Sequence, residues 1–129
     1  MKTQREIETA ISTRTAQFEQ EYMGREPKTV RVHLVGDLLV VRLTGVLTAA
    51  EEHLIKSLPV GKGRDLLKEI RTQLIETARP MLEAMIHETT GVKMLSLHHD
   101  ISSVTGEKII VATLVESPYC RDAKKRQPA

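Results

Sequence analysis

The sequence predicts an α+β fold: a two-layer domain in the order helix-strand-strand-helix-helix-strand-strand, with a four-stranded, mostly antiparallel sheet and helices on one face. Three observations predict it. Two pairs of short strand-like segments, each pair joined by a turn, sit at residues 29–45 and 92–115. Apolar residues at helical spacing fill the N-terminus and the middle of the chain. Helices and strands are grouped rather than alternating, the pattern of an antiparallel sheet with segregated helices.

Each element has its own warrant. Ile7, Ile11, Phe18 and Tyr22 recur at helical spacing, which predicts a helix over 3–23 closed by Gly24 and Pro27. In "TVRVHLV" (29–35), Val30, Val32 and Leu34 alternate with Arg31 and His33. "DLLVVRLTG" (37–45) is apolar for longer, as a more central strand is, and "GD" at 36–37 is a tight hairpin turn. "TAAE" at 48–51 is a capping box, with Thr48 and Glu51 exchanging bonds, and opens a short helix to about Ser57. "PVGKG" (59–63) breaks the chain and reads as a flexible linker. A long helix then runs from Arg64 towards Thr89 on a broad stripe that includes Leu67, Ile70, Leu74, Met81 and Met85, with a kink expected near Glu76 from Pro80. "VKMLSLHHD" (92–100) and "EKIIVATLV" (107–115) form the last pair. Lys93, Leu95, Leu97 and His99 are expected on one face of the first of these strands.

At 129 residues and 40% hydrophobic content the chain suits one domain with its own core. Residues 1–116 are expected to form that domain, and 117–129 a basic, disordered tail. Formal charge is +2, yet four basic residues and one acid lie after Glu116, so the body is slightly acidic. With Phe18, Tyr22 and Tyr119 as the only aromatics, neither a basic footprint nor a stacking platform for nucleic acid is expected. Cys120 is alone, which excludes an internal disulfide and a cysteine-based zinc site and fits a reducing cytosol; it reads as an exposed thiol in the tail. The polar N-terminus is no signal peptide, and "LLVV" and "IIVATLV" fall far short of the ~18 residues of a membrane span.

The densest group of chemically able side chains is "SLHHDISSVTGE" (96–107). In a strand, His98 and Asp100 share a face and His99 points the other way, so the run offers two ligands where zinc needs three or four. No metal site is expected; His98 and Asp100 are the pair to test. Asp100 also fits a turn starter, with Gly106 allowing the return. Ser102 and Ser103 lack a base held by a third group, so no catalytic residue is assigned. "GKGR" (61–64) resembles an anion loop without the Ser or Thr of a P-loop. Arg25, Lys62, Arg64, Asp100 and Glu107 are the candidates for an anion or nucleotide site.

Several phrases together resemble a known family. "GREP" (24–27) follows the first helix, "LLVVRLTGVLTAAEEHL" covers 38–54, and "TGVKMLSLHHDISSVTGEKIIVATL" covers 90–114. These are similar to a bacterial family once classed only as a domain of unknown function. It is now named for the third component of a sodium-translocating, membrane-potential-generating system (MpsC-like). Where the family often shows Gly-x-Gly-Pro, this chain has Gly24-Arg25-Glu26-Pro27. The resemblance implies a non-enzymatic, cofactor-free accessory or regulatory protein of a membrane cation or inorganic-carbon transport system. It implies a cytoplasmic protein peripheral at the inner face of the membrane, with a transporter subunit as partner. A ligand-sensing module is the alternative, and a metal-dependent enzyme at His98, His99 and Asp100 a third reading. The width of the long-helix stripe predicts a homodimer that buries the excess.

Overall fold

The computed structural model describes residues 2–121. Four strands, β1 (Thr29–Val35), β2 (Leu38–Thr44), β3 (Met94–Ile101) and β4 (Lys108–Leu114), form one sheet in the order β1-β2-β4-β3. Every neighbouring pair is antiparallel. The helices are α1 (Gln4–Phe18), α2 (Ala49–Ser57) and α3 (Lys62–Thr90), and the element order is the expected one.

Both N-terminal helices start on reciprocal caps. Thr3 Oγ1 accepts from the Glu6 amide and the Glu6 carboxylate accepts from the Thr3 amide; Thr48 and Glu51 repeat the arrangement at α2. Each cap satisfies two amides that a helix start otherwise leaves open. The β1–β2 turn has Gly36 at φ 61°, a left-handed position that a two-residue hairpin demands of its first residue.

Strand alternation separates the sheet into two faces. Val30, Val32 and Leu34 of β1, Leu39, Val41 and Leu43 of β2, Ile110, Ala112 and Leu114 of β4, and Leu97 and Ile101 of β3 belong to the core or pack against it. Ile7, Ile11 and Phe18 of α1, Leu67, Ile75, Ala78, Leu82, Met85 and Ile86 of α3, and Val46, Leu47 and Val92 of the connections complete the core. The α3 stripe is wider than the sheet covers: Leu66, Ile70 and Met81 stay exposed.

The chain departs from the expected elements at four places. The first helix does not continue as α to residue 23: after Phe18 it widens into a π-helical turn, Glu19–Met23, before Gly24 closes it. The turn begins at Glu19, which is fully buried, and the wider turn coincides with holding that carboxylate inside. "GKG" is no flexible linker. Gly61 caps α3, and Lys62 and Gly63 are its first residues. A Cβ on Gly63 would meet Ile55 Cα at 2.8 Å and Leu54 O at 3.0 Å, so only glycine lets α2 and α3 approach so closely. In β3 the register shifts between Met94 and Ser96, which turns Leu95 out to solvent, away from the face shared by Leu97 and His99. Finally, Cys120 is half-buried and packs against the core, and the Arg121 amide donates to Lys2 O at 2.9 Å. The basic stretch after Arg121 lies outside the described residues.

Candidate functional site

The β3–β4 loop forms a ridge between two clefts. The larger, about 470 Å³, is lined by Arg25, Lys28 and Lys56, by Glu52, and by Ser103 and Thr105 of the loop. That size lies in the ordinary range of small-ligand sites. The smaller, about 330 Å³, holds Arg64, Lys68, Asp100 and Glu107. Ser103 and Val104 border both. The expected candidates are therefore split: Arg25 opens on one side of the ridge, and Arg64, Asp100 and Glu107 on the other. Lys62, at the start of α3, lines neither cleft.

The two clefts differ electrically. In the smaller one each charged group has a partner. Lys68 Nζ lies 3.0 Å from Asp100, Arg64 Nε lies 3.2 Å from Asp65, and Arg42 Nη2 lies 2.9 Å from Glu107. The Lys68 ammonium, helped by the Ile101 amide, holds the Asp100 carboxyl below the usual carboxylate range. Ser102 Oγ accepts from the Val104 and Thr105 amides, so this hydroxyl serves the turn. The larger cleft gathers three basic side chains against one acid. Arg25 donates from Nη1 to Leu47 O, which fixes its guanidinium in the wall.

Strand alternation separates the three candidates at 98–100. His98 and Asp100 are exposed on the outer face, and His99 turns towards α3. Burial pulls the His99 imidazole below its usual range, with the Glu76 carboxylate opposing and the Lys108 ammonium reinforcing the shift. Among the described residues no group of three or more His, Cys, Asp or Glu is placed to hold a metal ion.

Beneath the ridge lies a feature the sequence reading missed: a chain of buried charges. Lys108 Nζ, at the first inward position of β4, donates to Glu19 Oε2 at 2.6 Å. Arg71 of α3 reaches Glu51 with two bonds, Nε to Oε2 at 2.9 Å and Nη2 to Oε1 at 2.7 Å, and donates to Val46 O at 3.0 Å. Arg71 Nη1 and Glu19 Oε1 stand 4.0 Å apart, and each lacks a hydrogen-bond partner in the protein. Burial pulls the Lys108 ammonium below the usual lysine range, and the Glu19 carboxylate offsets only part of that. Burial raises the Glu51 carboxyl, but the Arg71 guanidinium and the Thr48 amide outweigh it and hold the group below its usual range. A cavity of about 20 Å³ borders Arg71, Lys108 and His99, room for one water and too small for an organic ligand. Arg71 and Arg25 thus grip successive carbonyls, Val46 and Leu47, of the β2–α2 connection, one from the core and one from the cleft.

A signal for this network was present. Glu19 follows Ile7, Ile11 and Thr15 at strict four-residue spacing. Arg71 sits midway between the buried Leu67 and Ile75, and Lys108 is in phase with Ile110, Ala112 and Leu114. Charged residues in phase with the apolar period, and of opposite sign, mark a buried pair rather than a polar face.

Comparison with known proteins assigns the chain. It is 35% identical over 124 residues to the "Uncharacterized protein YbcI" of Bacillus subtilis (strain 168), covering 96% of this chain and 94% of that protein. No solved structure matches it. Residues 3–116 match the family described as "Na+-translocating membrane potential-generating system (MpsC)", a span that takes in α1, the buried charges and both clefts, and the chain therefore belongs to the MpsC family.

Proposed function

We propose that this protein is a non-enzymatic accessory or regulatory component of a membrane cation or inorganic-carbon transport system. It acts from the cytoplasm, peripheral at the inner face of the membrane, through contact with a transporter subunit. The observation that carries this reading is membership of a family named for a potential-generating membrane system. The structure supports it in two ways. No helix among the described residues is long and apolar enough to cross a membrane, which agrees with contact through a partner. The groups that suggest chemistry in the sequence are engaged otherwise: Ser102 holds a turn, Asp100 and Glu107 pair with bases, and the two histidines face opposite ways.

Affinity capture from solubilised membranes of the native host tests this, with the whole chain and a form ending at Glu116. Recovery of a cation- or carbon-transport subunit by both forms supports contact through the folded body. Recovery by the whole chain alone assigns the tether to residues 117–129. Absence of any membrane subunit from both contradicts the proposal.

One observation favours a second reading, a sensor of a small anion or nucleotide: the basic lining of the larger cleft beside the Ser103 and Thr105 hydroxyls. Calorimetric titration with inorganic phosphate and with a nucleoside triphosphate tests it. Binding that is lost in Lys28→Ala/Lys56→Ala supports a site there, and no heat at millimolar ligand contradicts it.

A further inference from the structure

Among the described residues no helix lies over the outer face of the sheet, and its side chains fall into ordered rows. Residues directly opposite one another across antiparallel strands point to the same face. One row runs Arg31, Arg42, Ile109, Asp100 from the β1 edge to the β3 edge. The next runs His33, Val40, Val111, His98, and a third runs Val35, Leu38, Thr113, Ser96. On the central strands this face carries Leu38 and the half-buried Val40, Ile109 and Val111, together with Arg42 and Thr113; Arg31, His33, Ser96, His98 and Asp100 occupy the edges, with Val35 the one apolar edge residue. An apolar centre with a polar rim is the anatomy of a protein interface.

We infer that this face docks a second copy of the same chain, sheet against sheet, about a two-fold axis parallel to the strands. Such an axis reverses the order of strands while keeping the rows level. Val40 then meets the partner's Val111, and His33 meets the partner's His98. In the charged row, Arg31 at the β1 edge meets the partner's Asp100 at the β3 edge, where Asp100 also holds Lys68, and the symmetry makes this contact twice; Arg42, bonded to its own Glu107, meets the partner's Ile109. A two-fold axis perpendicular to the strands instead places Arg31 opposite the partner's Val35 and Asp100 opposite the partner's Ser96, with no charge matched. The row is complementary to itself in one orientation, and self-complementarity is what an isologous dimer requires. Packed sheets align within about 30°, so the match is tightest at the centre.

Pairing through the β1 edge is a poorer route. α1 already occupies it: Gln4 Nε2 donates to Leu34 O at 2.9 Å, and the Leu34 amide donates to Glu8 Oε2 at 2.8 Å. The exposed α3 residues Leu66, Ile70 and Met81, the surface from which a dimer is expected on sequence alone, lie in a single file between charged and polar neighbours. The inference is independent of the proposed function, since it concerns how the chain meets itself.

Sedimentation equilibrium of the whole chain tests it, with Arg31→Glu, Asp100→Arg and the double reversal. The expected result is a wild-type dimer. Each single reversal raises its dissociation constant by about tenfold or more, because like charges then face each other. The double reversal restores wild-type affinity, and circular dichroism confirms that every variant is folded. Val111→Lys, at the centre of the face, is expected to abolish the dimer whatever the edge charges contribute. A monomer at all concentrations up to about 1 mM overturns the inference. So does a dimer indifferent to Val111→Lys, or single reversals that weaken it without mutual rescue.

Discussion

Lys108 and Arg42 sit on the adjacent central strands β4 and β2, one register step apart, and point to opposite faces of the sheet. Lys108 enters the core and bonds Glu19, with both side chains at most 2% exposed. Arg42 stays on the open face beside Glu107, with its side chain 46% exposed. Both pairs have good distances, yet they differ in consequence. A surface pair is screened by water and contributes about 0–1 kcal/mol. A buried pair cost its ions their hydration, so removing one member strands the other. The charges of the closed face therefore hold the fold, joining α1, α2 and α3 to the sheet through Glu19, Glu51 and Arg71. Those of the open face, Arg42 with Glu107 and Asp100 with Lys68, are paired in water, at the surface where other molecules arrive.

Substitutions that set one face against the other should differ accordingly. Lys108→Met leaves the buried Glu19 without a hydrogen-bonded base, with only Arg71 at 4.0 Å, and is expected to cost about 3–5 kcal/mol in urea unfolding. Glu19→Leu added to it should recover most of that loss. Failure of the second change to rescue the first would break the idea that the two charges are linked.

Gly63→Val tests the closed side by volume rather than charge. Its side chain must displace Ile55 and Leu54 of α2. A cost of about 1–3 kcal/mol is expected, and an unchanged urea midpoint would show that α2 yields freely.

His99 gives the closed face a pH dependence. Its folded-state pKa lies below the ordinary 6.5, so the unfolded chain takes up the proton first. Stability is full above that ordinary value and falls as pH drops through it towards the folded value. His99→Gln should flatten this segment of the stability profile. The carboxyls Glu51 and Asp100, also held low, act in the same direction at more acid pH. The smallest effect belongs to the open face, where Arg42→Ala should change monomer stability by less than about 1 kcal/mol.

The same contrast explains how much was legible beforehand. Element order and the antiparallel hairpins followed from periodicity and turn residues, because Val30, Val32 and Leu34 or Ile110, Ala112 and Leu114 report their face directly. The separation of His99 from His98 and Asp100 was legible for the same reason. The π turn, the bulge at Leu95 and the close α2–α3 contact at Gly63 were not, since each depends on what another element brings alongside. Among the candidate residues, sequence reasoning chose groups that stand next to one another in the chain and sit at a visible turn, Asp100 and Glu107 among them. It passed over Glu19, Arg71 and Lys108, which lie far apart in the chain and meet only in the core. Arg25 proved to share a cleft with Ser103 and Thr105, a proximity that no spacing reveals.

Side-chain methyl relaxation by a soluble paramagnetic agent, recorded at low and high protein concentration, tests the division between the faces most directly. The account predicts that Leu39 and Val41 methyls are shielded at every concentration. Val40 and Val111 methyls should be open at low concentration and become shielded as copies associate. Val40 and Val111 that remain open at high concentration, while Leu66, Ile70 and Met81 become shielded, would contradict it.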